Sequence, residues 1–190
     1  MRRQRNLLGP QGMGGMVSLW GASSLIHSLQ KVTLTLVAAS SGTVSINAVD
    51  MSRSILFFAN YYSTYVGTNT SLNPRVSLTN STTVTATDPG AATGGVTTAM
   101  KITVVEFAPG VIRSVQRGTT VLLGATSNST TITSVNTTKA FLNFLGWSTN
   151  ADDQRYEGIV ELASATSVQV TNQLATGATN DFSWEVVEYF

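Results

Sequence analysis

Residues able to do acid–base or nucleophilic chemistry are few in this chain of 190 residues. His27 is its only histidine, and the sequence contains no cysteine. An enzyme needs titratable groups that converge on its substrate, and one histidine with scattered carboxylates does not supply them. We therefore expect no catalytic residues, no cofactor-binding residues and no enzymatic activity.

The acidic residues offer one alternative site. Asp152 and Asp153 are the single adjacent acidic pair, and Glu157 follows them. Calcium binds clustered loop oxygens, but this spacing matches no EF-hand loop. A carbohydrate-active enzyme would need a pair of carboxylates placed across a glycosidic bond. We expect no metal site, and we rank the carbohydrate-active enzyme last among the possible functions.

The sequence contains an internal repeat, which indicates the structural units that carry these residues. Residues 25–61 match residues 111–147 at an offset of 86, residues 76–87 match 160–171, and residues 104–107 match 186–189. Such self-similarity is the signature of a duplicated structural unit. Among the matched positions are Ile26 and Ile112, His27 and Arg113, Gln30 and Gln116, Lys31 and Arg117, Arg53 and Lys139, and Phe58 and Phe144.

Apolar residues alternate with Thr, Ser and other polar residues through most of both copies, as in residues 31–37 and 43–49. A period of two is typical of half-buried β-strands. We predict an all-β chain with two tandem, duplicated antiparallel β-sandwich domains, residues 24–108 and 109–190. The aromatic-rich strand at residues 54–61 should be the most buried, with Phe58 and Phe144 in equivalent cores.

Two sets of repeated polar residues should serve the architecture. Glu106 and Glu188 close the two copies at equivalent positions, where we expect salt bridging or capping. The pairs Gln30–Lys31 and Gln116–Arg117 begin the first strand of each copy. They should either anchor that strand or contact a neighbouring subunit.

Residues 1–23 form a lead-in that is rich in glycine, apolar side chains and arginine. Glycine disfavours regular structure and lets a backbone follow a foreign surface. Arginine pairs well with carboxylates on a partner. We predict an extended N-terminal arm that anchors the protein to a partner or exchanges between subunits, through Arg2, Arg3, Arg5, Leu7, Leu8 and Trp20.

Composition limits the partners. Charged residues make up 11% of the chain, against a typical quarter, while 42% are hydrophobic. A surface with so few charges is poorly suited to keeping monomers apart, so we expect a homo-oligomer. Basic residues interleaved with aromatic ones are lacking, which argues against nucleic acid. No apolar run approaches the roughly 18 residues of a membrane helix.

Residues 114–120, 131–147, 160–171 and 184–190 resemble a repeat found in structural proteins of tailed bacteriophages, namely head fibre, tail fibre and minor capsid (decoration) proteins. The likeness is good in the second copy and weaker in the first, and it excludes the arm. It implies a homotrimer made in the host cytoplasm and placed on the virion surface. In such proteins the N-terminal segment is fixed to the particle.

The resemblance therefore favours a non-enzymatic virion subunit, a minor capsid or decoration protein that binds the major capsid protein or another virion protein. The alternative is a tail-fibre or receptor-binding module that recognises a receptor on the host surface. The length of the chain argues against a complete fibre.

Overall fold

The computed structural model describes residues 24–64, 73–92, 96–149, 158–172, 177 and 179–190. These residues form β-strands joined by turns, with two short 3-10 turns at Met51–Arg53 and Pro89–Ala92 and no α-helix. Nothing helical in these ranges is long and apolar enough to cross a membrane. The predicted all-β class is confirmed. The predicted arm, residues 1–23, lies outside the described residues.

Six strands lie in residues 24–108, called here the first half: β1 (Ile26–Val37), β2 (Ser41–Ser45), β3 (Ser54–Ser63), β4 (Arg75–Asn80), β5 (Thr83–Thr87) and β6 (Thr97–Phe107). Six more lie in residues 109–190, the second half: β7 (Ile112–Leu123), β8 (Ser127–Thr131), β9 (Ala140–Thr149), β10 (Gly158–Ser164), β11 (Ser167–Asn172) and β12 (Thr179–Tyr189).

All strand pairs are antiparallel, and the two halves pair their strands in the same order. The first half contains the orders β1-β6-β3 and β2-β5-β4, and the second contains β7-β12-β9 and β8-β11-β10. A single pair, Arg75 opposite Gly146, joins β4 to β9. That link merges four sheets into three, with the six-stranded order β2-β5-β4-β9-β12-β7.

Each half has a core between its two groups of strands. In the first half the core side chains come from β1, β3 and β6 on one side and from β4 and β5 on the other: Leu34, Leu36, Leu56, Val76, Leu78, Val84, Met100 and Ile102. In the second half Trp184 and Val186 of β12 pack with Val168 of β11. Phe182, Leu122 and Val170 form an adjoining cluster.

The closing strands, rather than the aromatic strands, are the most buried. β6 and β12 lie at the centre of their three strands, and β12 is buried over most of its length. β3 is buried only at Ser54–Leu56, and Phe57 and Tyr61 are largely exposed. The prediction that residues 54–61 are the most buried strand is therefore wrong.

Phe58 and Phe144 differ in burial, which corrects a second prediction. Phe58 is partly buried against the first core, whereas Phe144 is 43% exposed. The reason lies across the sheet, where Phe144 faces Trp184 while Phe58 faces the smaller Ile102. Trp184 fills the second core and leaves Phe144 at its margin.

Trp184 fits because of a compensating small residue. It lies opposite Gly118, where an added Cβ would come within 2.4 Å of the indole ring. Its indole N–H donates a hydrogen bond to the Thr120 hydroxyl at 3.0 Å. Large and small residues thus interlock in this core, as close packing requires.

A buried carboxyl group lies between β5 and the 3-10 turn at Pro89–Ala92. Asp88 is fully buried beside Thr98, whose hydroxyl donates to Oδ2 at 3.3 Å. Burial raises the pKa of Asp88 from its ordinary 3.8 to about 6, and the Thr98 hydroxyl opposes that rise. The carboxyl group is therefore easier to protonate in the folded protein than in the unfolded chain.

We predict that Asp88 destabilises the fold as pH rises. Below about pH 4 the group is protonated in both states; between about pH 4 and 6 its ionisation progressively favours the unfolded chain, by up to about 3 kcal/mol for a difference of two pKa units. Asp88→Asn, measured by denaturant unfolding at pH 4 and pH 8, should gain stability relative to wild type at pH 8 but not at pH 4. An equal difference at both pH values would contradict this assignment.

Candidate functional site

The residues predicted to anchor the protein to a partner, Arg2, Arg3, Arg5, Leu7, Leu8 and Trp20, lie outside the described residues, as do Asp152, Asp153 and Glu157. His27 lies exposed on β1, and its counterpart Arg113 lies exposed on β7. Arg113 reaches Glu188 at 3.6 Å. No group of three or more His, Asp or Glu residues is positioned to hold a metal ion in the part of the chain that the structure describes.

The repeated glutamines anchor the first strand of each half, one of the two roles predicted for them. Gln30 donates to the Asn47 carbonyl at 3.0 Å and accepts from the Asn47 N–H at 2.7 Å. Gln116 makes the same two bonds with Thr133, at 2.8 and 2.6 Å. In each half the side chain thus substitutes for a strand partner.

The repeated glutamates have the capping and salt-bridging role that their positions predicted. Glu106 forms an ion pair with Arg53 at 2.5 Å and accepts from the Asp50 N–H at 3.4 Å. Glu188 accepts from the Asn136 N–H at 2.9 Å. Both glutamates are buried, and each holds the turn that precedes the third strand of its half.

At one set of positions the halves differ, and there the second half contacts the first. Arg117 and Asn143 both lie opposite Glu185 on β12. Arg117 Nε donates to Glu185 Oε1 at 2.9 Å, and Asn143 Nδ2 donates to Glu185 Oε2 at 3.0 Å. Glu185 is fully buried. We call these three residues the polar triad.

The polar triad binds the free edge of β3. The Leu56 N–H donates to Glu185 Oε2 at 3.0 Å, and Asn143 Nδ2 donates to the Leu56 carbonyl at 2.6 Å. Arg117 donates to the Met51 carbonyl at 2.9 Å and also to the Ser54 carbonyl. An uncovered sheet edge presents unpaired backbone groups. Here side chains of the second half satisfy those groups in the first.

The stability of this contact depends on every residue of the polar triad, because Glu185 is a buried charge. Burial raises the pKa of Glu185, while Arg117, the Leu56 N–H and Asn143 act in the opposite direction by stabilising the carboxylate. A buried charge is tolerated when it is paired and fully hydrogen-bonded. Removing one partner leaves another group buried without compensation.

Apolar and polar contacts flank the polar triad. Ile55 of β3 is fully buried against Ile112 of β7 and Val187 of β12. Arg75 of β4 forms an ion pair with Asp181 at 3.1 Å and donates to the Ser148 hydroxyl at 3.0 Å. The two halves are therefore joined over several strands.

Beside this contact lies an open cleft of about 420 Å³ with four aromatic residues in its lining: Phe58, Tyr61, Phe144 and Trp147. Asn60, Asn73 and Pro74 complete much of the wall. Aromatic faces with nearby amides can stack on and hydrogen-bond a polar ligand. The cleft lies where β3 approaches β9.

Neither Glu185 nor Asn143 was singled out from the sequence. A signal was present in the repeat, since Asn143 aligns with Phe57 and Glu185 with Thr103, while Arg117 aligns with Lys31. The first two substitutions change polarity or charge on a strand face, while the third keeps the positive charge. Such a difference indicates that the two faces have different surroundings.

No protein-family model matches this chain, and neither a curated protein nor a solved structure shows significant similarity to it.

We predict that Glu185→Gln lowers the free energy of unfolding by about 3 kcal/mol. The glutamine amide has one oxygen and one NH2 group, so its NH2 group must face either the Arg117 guanidinium or the Leu56 N–H, and one of these donors then has no acceptor. Glu161 lies exposed on β10. Glu161→Gln is the matched control and should stay within about 0.5 kcal/mol of wild type. Denaturant unfolding measures both; equal stability of the two variants would show that the polar triad does not hold the halves together.

Proposed function

We propose that the protein is a non-enzymatic structural protein of a tailed-bacteriophage virion, a homotrimeric minor capsid or decoration protein attached to the head through its N-terminal arm. It is made in the host cytoplasm and acts on the virion surface. Its partners are copies of itself and the major capsid protein or another virion protein; neither nucleic acid nor a membrane is among them.

We also propose that the chain is a tandem duplication of one antiparallel β-sandwich, with domains at residues 24–108 and 109–190 and an arm at residues 1–23. The shared strand order supports this, because both halves pair their first, sixth and third strands and their second, fifth and fourth strands alike. The repeated bonds of Gln30 and Gln116 occur at equivalent places in that order.

The functional proposal rests on how the protein uses its buried and partly buried polar residues. Arg117, Glu185 and Asn143 bind backbone groups of the other half, and Glu106 and Glu188 hold turns. The side chains of these five residues form hydrogen bonds that join parts of the protein to one another. Such a use suits a rigid projecting subunit, as does the resemblance of residues 131–147 and 184–190 to phage structural proteins.

A second candidate is a tail-fibre or receptor-binding module that recognises the host surface. The cleft lined by Phe58, Tyr61, Phe144 and Trp147 favours it, because aromatic side chains that line a cleft can stack on the sugar rings of surface glycans. Immunogold labelling of intact particles distinguishes the two: label on the head supports decoration, and label confined to the tail supports receptor binding.

We predict that the protein forms trimers. The single-chain mass is 20.1 kDa, so light scattering at micromolar concentration should return three times that value. A mass equal to one chain throughout the micromolar range would contradict this prediction.

We predict that deleting residues 2–20 leaves the β domains folded and removes the protein from particles. Fixing the backbone of a glycine-rich segment costs roughly 1–2 kcal/mol per residue, so the arm must gain extensive contacts on its partner. The comparison is the occupancy of purified particles by truncated and full-length protein, with thermal unfolding as the control for folding. Full occupancy by the truncated chain would place the attachment in the β domains.

A further inference from the structure

The contact between the halves uses one surface of each. The first half supplies what we call the edge surface: the backbone of Met51, Ser54 and Leu56 with the side chains of Ile55 and Arg75. The second half supplies what we call the face surface, formed by the polar triad with Val115, Ser148, Asp181 and Val187. The first half also contains the counterpart of the face surface, and the second half the counterpart of the edge surface.

Strand register identifies the counterpart of the face surface in the first half. Lys31 and Phe57 both lie opposite Thr103, just as Arg117 and Asn143 both lie opposite Glu185. One pair further along, Leu29 and Ile55 lie opposite Val105, as Val115 and Phe141 lie opposite Val187. The face surface of the first half therefore includes Leu29, Lys31, Phe57, Thr103 and Val105.

Two apolar residues of this first-half face are exposed, beside the exposed Lys31 and the buried Val105. Leu29 is 50% exposed and Phe57 is 44% exposed, whereas their counterparts Val115 and Asn143 are partly buried in the contact between the halves. On the other side, Phe141 is 36% exposed where its counterpart Ile55 is fully buried. Exposed apolar residues thus lie at three positions that the internal contact covers, whereas Val105 is buried like its counterpart Val187.

The position of Arg75 gives an independent match. Its counterpart on β10 is Ile159, which is 68% exposed, and the counterpart of its partner Ser148 is Tyr62, which is 66% exposed. The hydrogen-bonded pair Arg75–Ser148 of the internal contact thus corresponds to the exposed residues Ile159 and Tyr62 on the two free surfaces. Ile159 and Tyr62 would be complementary if the same contact formed again with another molecule.

We propose that the edge surface of the second half docks on the face surface of the first half of another copy of this chain, in the geometry that joins the two halves. The Lys31 amine then donates to the Thr137 or Ala140 carbonyl of the neighbouring chain. The Thr103 hydroxyl accepts from its Leu142 N–H. Leu29 and Val105 cover Phe141, as Val115 and Val187 cover Ile55. Phe57 takes the place of Asn143 beside Leu142, and Tyr62 packs on Ile159.

The backbone that this contact requires on β9 is available as far as the structure describes the chain. β9 pairs with β4 at the single pair Arg75–Gly146, so the side of residues 140–143 that faces away from β12 has no strand partner within the described residues. The contact joins unlike surfaces, and unlike surfaces close into a ring when the rotation permits. If the protein is the homotrimer proposed above, three chains form a closed ring that contains six halves.

Two pairs of variants test the contact in the full-length chain. Phe57→Asp disrupts the face surface of the first half, and Ile159→Asp disrupts the edge surface of the second. Val37→Asp and Leu123→Asp are matched controls, because both side chains are exposed. Leu123 lies on the outer side of β7 but outside the internal contact, and Val37 is its counterpart on β1. Thermal unfolding checks that all four variants fold.

By analytical ultracentrifugation, each interface variant should raise the dissociation constant at least tenfold and give single chains, while both controls associate as wild type does. Mixing the two interface variants leaves one intact pair of surfaces, so the mixture should form dimers containing one chain of each variant. Retained trimers in either interface variant, or a mixture that stays monomeric, would overturn the docking geometry. The trimer itself is judged separately, by the mass of the wild-type protein.

Discussion

The bonds between Glu185 and the Leu56 N–H, supported by Arg117 and Asn143, are the interaction on which the arrangement of the molecule depends. They occupy the free edge of β3, which would otherwise present unpaired backbone groups to solvent or to other chains. A buried carboxylate is stable only where its donors are all in place. The polar triad therefore fixes which backbone groups of the first half the second half must contact.

Much of the fold was predictable because β-strands with one buried face carry a period of two. The alternating stretch at residues 31–37 lies within β1, and the stretch at residues 43–49 overlaps β2. The roles of Glu106 and Glu188 were also predictable, because a residue that recurs at the same place in two matching stretches of sequence serves something that both stretches need.

The contact between the halves was not predictable in this way. Alternation shows which residues share a strand face, but it does not show whether the outer face is covered by another part of the chain. Glu185 stands on such an outer face of β12, and Phe144 loses its core position to Trp184 across the sheet. Asp88 lies in a stretch whose composition indicates a loop, and its burial arises from tertiary packing alone.

The Leu56 amide has a consequence for the dynamics of the molecule. In an antiparallel strand successive residues direct their backbone groups to opposite sides, so the Ile55 and Phe57 amides point toward β6 while the Leu56 amide points toward Glu185. Hydrogen exchange at Leu56 therefore reports separation of the halves, and exchange at its two neighbours reports opening of the sheet. The exchange rates of the Ile55, Leu56 and Phe57 amides thus distinguish separation of the halves from opening of the sheet in one hydrogen-exchange experiment.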